Sequence, residues 1–298
     1  MTHAVRVGPL LLSSPERIVV DRDMDQTDLA RVWFGPATDV GAGQPAVVTI
    51  DDETVFTGTV TTVRPTLTGT EVRALGTTLA MQRLRAPAAY ERRDAGAIVR
   101  DLATRAGVET GTVEPGAMLP ADYLDGAVSA YHHARALADR LGFELYTDRR
   151  GRLMFREPRP AVTTTYTYGR DLFAAAGRRN TDWLMPVVGG EGHMSEGGEN
   201  SVHWLSVEDL TGGSGGQLVL DSLARTQDLA DRFAEGYATT WRRNLRRVTL
   251  RVPGTARLDL GDGIRLAGTP ALGAGGYVRA VRHTVDAWSG WVTELGVS

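Results

Sequence analysis

Four groups of residues in this sequence have types and spacings that could do chemistry. His283 and Glu294 lie in the closing stretch "GYVRAVRHTVDAWSGWVTELGVS", Asp51-Asp52-Glu53 are consecutive, His132-His133 are adjacent, and His193-x-x-Glu196 sits in a glycine-rich run. A histidine beside a carboxylate is the usual general acid–base pair. Two close carboxylates can cleave a glycosidic bond. Clustered histidines and acids hold metals.

Spacing argues against each of these. If Asp286–Gly290 forms a loop, alternation pairs Val285 with Trp291, His283 with Thr293 and Val281 with Leu295 on one apolar face. Arg282 then opposes Glu294 on the other face as a cross-strand ion pair. The sheet separates His283 from Glu294, and His283 reads as a core histidine with a hydrogen-bond partner. Neighbours on a helix diverge by about 100°, so His132 and His133 cannot both face one metal. Asp51-Asp52-Glu53 read as the tip of a hairpin. His193-x-x-Glu196 falls in a run whose glycines predict a solvated loop. There is no HExxH, no G-x-S-x-G and no glycine cradle between a strand and a helix. The sequence therefore predicts no catalytic residue, no metal site and no cofactor.

Composition narrows the classes further. The 298 residues carry a net charge of −3 and no cysteine, and all 33 basic residues are arginine. Disulfides, thiolate metal sites and lysine Schiff bases are excluded. A slightly acidic chain without a basic domain does not read as a specific nucleic-acid binder. The apolar run Leu10-Leu11-Leu12 is too short for a signal or a membrane span, so assembly in the bacterial cytoplasm is expected. The sharpest basic cluster is Arg242, Arg243, Arg246 and Arg247 in "RRNLRR". It reads equally as favourable charge at a helix C-terminus and as a contact to an acidic protein partner.

The elements that must position these residues follow from periodicity. Residues 1–85 read as strands, including the hairpin "AVVTIDDETVFTGTVTTV" and the strand "TEVRAL". Helical spacing starts at Asp94, an N-cap, and ends at Gly107; a second helix runs from the cap Ser129 to Gly142. "FELYTDRRGRLMF" is a hairpin. Residues 86–160 thus form a small α+β insert. Residues 161–298 form a second β unit with a helix at about 227–241 capped by Thr226, and parts of 161–215 are available to complete the first. "GGEGHMSEGGENS" and "TGGSGG" predict exposed loops, with "VHWLSV" a short strand between them. Gly58-x-Val60-x-x-Val63 recurs as Gly276-x-Val278-x-x-Val281, which suggests two related β units bracketing an insert.

The order of these parts resembles a known family. "VFTGTVTTV", "TEVRALG", "DAGAIVRDLATRAGV", "SAYHHARALADRLGFELYTDRRGRLMF", "LDLGDGIRLAG" and the closing hairpin look like the hub proteins of phage tails: the late-control D proteins, the myophage baseplate hub and the N-terminal part of type VI secretion spikes. The matching positions are Phe56, Gly58, the helix from Asp94 to Gly107, Gly261-Asp262, His283 and Thr293-Glu294-Leu295. Tyr131-His132-His133 depart from the family's aromatic and Leu.

The resemblance implies two tail-tube-like antiparallel β-barrels flanking a small helix-containing domain. It implies a homotrimeric, non-enzymatic ring that adapts the sixfold tail tube to a threefold spike. The partners expected are the tail tube protein, a spike on a separate chain and other baseplate proteins, in a phage tail or a contractile injection particle. A tail-tip cell-wall hydrolase and a receptor- or glycan-binding β module are the alternatives.

Overall fold

A computed structural model describes residues 3–12, 15–35, 39–159, 161–179, 185–193, 201–205 and 216–298. The first β unit holds β1 (His3–Val7), β2 (Leu10–Leu12), β3 (Arg17–Asp23), β4 (Leu29–Phe34), β5 (Pro45–Ile50), β6 (Glu53–Pro65) and β7 (Thr70–Gly76). The middle segment holds α1 (Thr78–Arg83), β8 (Ala88–Asp94), α2 (Ala95–Arg105), β9 (Thr110–Val113), β10 (Met118–Leu124), α3 (Ala130–Leu141), β11 (Glu144–Thr147) and β12 (Leu153–Arg156). Then come β13 (Val162–Thr167), β14 (Ala174–Arg179), β15 (Met185–His193), β16 (Ser201–Leu205), β17 (Gly216–Leu220), α4 (Gln227–Asn244), β18 (Arg246–Pro253), β19 (Gly263–Ala267), β20 (Gly275–Asp286) and β21 (Gly290–Val297).

The chain is mainly β, with few helices. Thirteen strands form one sheet in the order β14-β18-β21-β20-β3-β4-β7-β6-β5-β1-β2, with β19 and β13 branching from β20. The resemblance implies two barrels. Among the described residues no pairing closes either half; β3 and β20 join the halves edge to edge instead, with Arg282 opposite Asp21 and His283 opposite Val20. Each half still has its own core. Ile18, Val20, Val32, Val48, Phe56 and Val60 pack in the first, and Leu250, Leu260, Val278, Val281 and Leu295 in the second. Period-2 alternation drives both, as the burial pattern of β4 shows.

The last hairpin has the predicted register. Val281, Arg282, His283, Thr284 and Val285 oppose Leu295, Glu294, Thr293, Val292 and Trp291; Asp286 also pairs with Gly290, so the loop is shorter than expected. The helix caps also fall as expected. The side chains of Asp94, Ser129 and Thr226 accept from Ala97, His132 and Leu229 N–H, and Gly142 takes the left-handed conformation.

Two placements differ from the sequence reading. α4, read as part of the second β unit, turns Phe233, Ala230 and Leu229 into one core with Ile98, Leu102, Leu137 and Phe155 of the middle segment. Gly236 allows this: a Cβ there would lie 2.0 Å from Arg140 O. The glycine-rich Gly189–His193, read as loop, is strand, because its backbone pairs with β16 whatever its side chains. Residues 194–200 and 211–215, and with them Glu196, lie outside the described residues. β13 and β14 pair with β19 and β18, in the second half.

Candidate functional site: two matched halves and the ion clusters between them

The two halves repeat one construction. The order β5-β6-β7-β4-β3 matches β19-β20-β21-β18-β14, all antiparallel and in the same order along the chain. The match extends to single residues. Gly43 and Gly261 open the matched strands at φ 87° and 88°. Their N–H groups donate to Val60 O and Val278 O, and those valines donate back to Gln44 O and Asp262 O, all at 2.8 Å. Gly58 and Gly276 sit where a Cβ would lie 2.2 Å from Leu75 O and from Ser298 O. The register breaks at Val60/Thr62 and at Val278/Ala280. Just past it, Arg64 pairs with Glu71 at 3.8 Å and Arg282 with Glu294 at 3.9 Å. The flanking strands differ: β1 runs antiparallel to β5, β13 parallel to β19.

The residues singled out in sequence serve this construction. Phe56 is fully buried, and its ring and Leu75 O leave room only for glycine at position 58. Asp262 Oδ2 accepts from Asp259 N at 2.8 Å and fixes the turn at Gly261. His283 is buried, 3.1 Å from Thr293 Oγ1. Burial, with Arg22 and Arg149 nearby, lowers its pKa to about 3, so it is neutral at pH 7. Glu294 faces out beside Arg282, whose stronger partner is Asp21 on β3. His283 and Glu294 do not meet.

The arginine cluster is divided. Arg243 donates to the carbonyls of Gly142 and Phe143, and Arg246 to those of Leu272 and Gly275. Arg242 and Arg247 are exposed, and Arg247 reaches Asp25 at 3.3 Å. His132 faces Ser129, and His133 Nε2 lies 2.7 Å from Asp122. Asp51 and Asp52 form a hairpin turn at φ 49° and 63°, a conformation that acids tolerate. Among the described residues no three His, Asp or Glu gather as a metal site, and no helix is long and apolar enough to cross a membrane.

The sequence reading missed the residues that join the three parts of the chain. Arg22 is buried in the seam. It donates to Asp28 at 3.2 Å, to Asp259 of the second half, and to Thr147 O of the β11–β12 hairpin at 2.6 Å. Thr147 donates to Asp28 at 3.0 Å, and Arg149 to Asp259 at 3.2 Å. Burial alone would raise the pKa of Asp259; Arg22 and Arg149 outweigh it and hold the carboxyl below its usual value. On the turn after β3, Asp25 meets Arg279 at 2.8 Å, Arg247 at 3.3 Å and Arg135 of α3 at 3.6 Å. It borders an open cleft of about 590 Å³ that Asp139, Arg178 and Asn244 also line. "DRDMDQTD" was the available signal: so dense a run of acids around one arginine is costly unless each finds a partner.

No family model and no curated protein matches the chain. Solved structures do. The 43 kDa tail protein of prophage MuSo2 from Shewanella oneidensis aligns over 100% of this chain and 98% of its own, at 13% identity and a TM-score of 0.78. The tail protein from Neisseria meningitidis aligns over 99% and 95%, at 16% and 0.79. The E. coli c3393 protein, a type VI secretion component similar to the T4 tail proteins gp27 and gp5, aligns over 98% and 75%, at 12% and 0.65. The chain thus has the fold of phage tail proteins, a fold shared with type VI secretion.

Proposed function

We propose that this chain is a structural subunit of the baseplate hub in a phage tail or a phage-tail-like contractile injection particle. Three copies close a ring in which each half acts as one tail-tube-like unit. Six such units meet the sixfold tube on one face. The threefold spike meets the other, along with other baseplate proteins. The ring binds no cofactor, contacts no membrane, reads no nucleic-acid sequence and performs no catalysis. It assembles in the bacterial cytoplasm.

The observation that carries this reading is the matched construction of the halves. Two similar units per chain give near-sixfold symmetry when three chains close a ring. The likeness to tail proteins supports the setting. Native mass measurement of the chain, with electron microscopy of the particle that contains it, tests the reading. Three copies on the particle axis between tube and spike are expected; six copies per ring, or copies off the axis, overturn it. Release of peptidoglycan fragments by the purified chain would favour a hydrolase. Glycan binding abolished by Trp288→Ala, a tip residue 98% exposed, would favour a receptor-binding module.

A further inference from the structure

Of the four clustered arginines, Arg243 and Arg246 bind backbone carbonyls, and Arg247 has a neighbour outside the cluster. β14 and β18 pair so that Arg178 lies directly opposite Arg247. Residues so opposed share a face, with their Cβ atoms about 5 Å apart, and like charges there repel. Both side chains are exposed, and both line the open cleft beside Asp25. The repeated construction does not account for this pair. The counterpart positions in the first half are Asp21 and Leu29, which oppose each other without like charge.

The next pair along the ladder shows what this one lacks. Arg179 opposes Arg246 on the other face, and Arg246 donates to Leu272 O and, at 3.1 Å, to Gly275 O. Arg178 has no hydrogen bond or ion pair among the described residues. Arg247 is held without being saturated. Its Nη2 reaches Asp25 at 3.3 Å and Asn244 Oδ1 at 3.1 Å, and its Nε and Nη1 meet no acceptor among the described residues.

Two acids share the cleft with Arg135, Arg178 and Arg247. Asp25 is already met by Arg279 Nη2, at 2.8 and 2.9 Å. Asp139 lies near Arg135, and burial raises its pKa. The positive charge left unmatched is therefore that of the opposed pair.

We propose that Arg178 and Arg247 clamp an acidic side chain on an extended segment of a partner protein, which enters the cleft beside Thr240 and Asn244 of α4. A carboxylate between the two guanidinium groups accepts from both and offsets their repulsion. Asp25 and Asn244 already hold Arg247, so little ordering remains to oppose binding. Asp25 and Asp139 repel a doubly charged phosphate more than a singly charged carboxylate, which favours a protein segment over a phosphate ion. A cleft of about 590 Å³ admits a side chain with its flanking backbone. The contact is made by each copy and stands whether or not three copies close a ring.

The test is a titration of the isotope-labelled full chain, at low salt, with a capped peptide of alternating Gly and Glu. The Nε–Hε signals of Arg178 and Arg247 should shift together, and the same peptide with Gln for Glu should leave them in place. Arg178→Gln should weaken binding by roughly three- to tenfold without lowering the melting temperature, because it removes a repulsion. Arg178→Glu supplies the carboxylate from inside the chain, so it should raise the melting temperature and abolish peptide binding. No binding of the Glu peptide, equal binding of the Gln peptide, or binding untouched by Arg178→Gln overturns the clamp. Inorganic phosphate that shifts the same signals at a lower concentration than the Glu peptide overturns the assignment to a protein segment.

Discussion

Arg22, on β3, and Asp25, on the turn that follows it, do the same job in different media. Each ties the first half to the middle segment and to the second half. Arg22 does so out of water: its side chain is 3% exposed. Asp25 does so at the edge of a cleft, 38% exposed. A buried charge is costly unless every partner is in place, and removing one partner strands the others. An exposed acid shares its arginines with water, so its removal costs little. The contrast teaches that the number of ion pairs does not rank joints in this molecule; burial does.

Breaking the buried cluster gives the largest effect. Arg22→Met should cost about 3–5 kcal/mol in chemical denaturation, since Asp28 keeps its burial and loses its arginine while Asp259 is left with Arg149 alone. A loss under about 1 kcal/mol would show that water already reaches the seam.

Gly261 sharpens the contrast on the backbone, because it lies in a crowded setting and its counterpart Gly43 in an open one. Both have positive φ, so an added side chain strains either. At Gly261 a Cβ would also meet Arg156 Nη2 at 2.5 Å and Tyr146 Oη at 3.0 Å, whereas nothing lies within 4 Å at Gly43. Gly261→Ala should cost about 2–3 kcal/mol and Gly43→Ala about 1. Equal costs in thermal unfolding would sink the distinction.

His283, buried beside Arg22, brings pH into the comparison. Its folded pKa, about 3, lies below the unfolded value near 6.5. The unfolded chain therefore takes up the proton first. The contribution of neutral His283 is complete above about pH 6.5 and is lost as pH falls toward about 3. Replacing it with Gln should flatten the stability–pH curve over that window. An unchanged slope, measured against the parent at each pH, would show that His283 takes up its proton at the same pH in the folded and unfolded chain.

The smallest effect belongs to the exposed cluster. Asp25→Ala should cost no more than about 1 kcal/mol at low salt and nearly nothing in 1 M NaCl. A loss comparable to that of Arg22→Met would abolish the contrast.

Local rules made much of this legible in the sequence. The Val-x-His-x-Val alternation of the last hairpin allows one register, and Asp94, Ser129, Thr226 and Gly142 announce helix ends by their chemistry. What could not be read depends on distant partners. Nothing in the composition of β3 names β20 as its neighbour. Gly43 and Gly261 share a turn, but the residues around them, "AGQPAV" and "LGDGIR", have little in common. Gly189–His193 looks like a loop until β16 pairs with its backbone. The core face of α4 fits a β sheet as well as it fits helices, and only Gly236, by admitting the end of α3, decides between them.

The pairing of β3 with β20 also sets a timetable. The first strand of the seam, β3, is made roughly 260 residues ahead of its partner β20. At about 5–20 residues per second, on the order of tens of seconds pass with β3 bare on the nascent chain. Ile18, Val19 and Val20 are then open to any passing strand. Asp21, Arg22 and Asp23 at the end of β3 would act as a gatekeeper over that interval, before they become part of a joint.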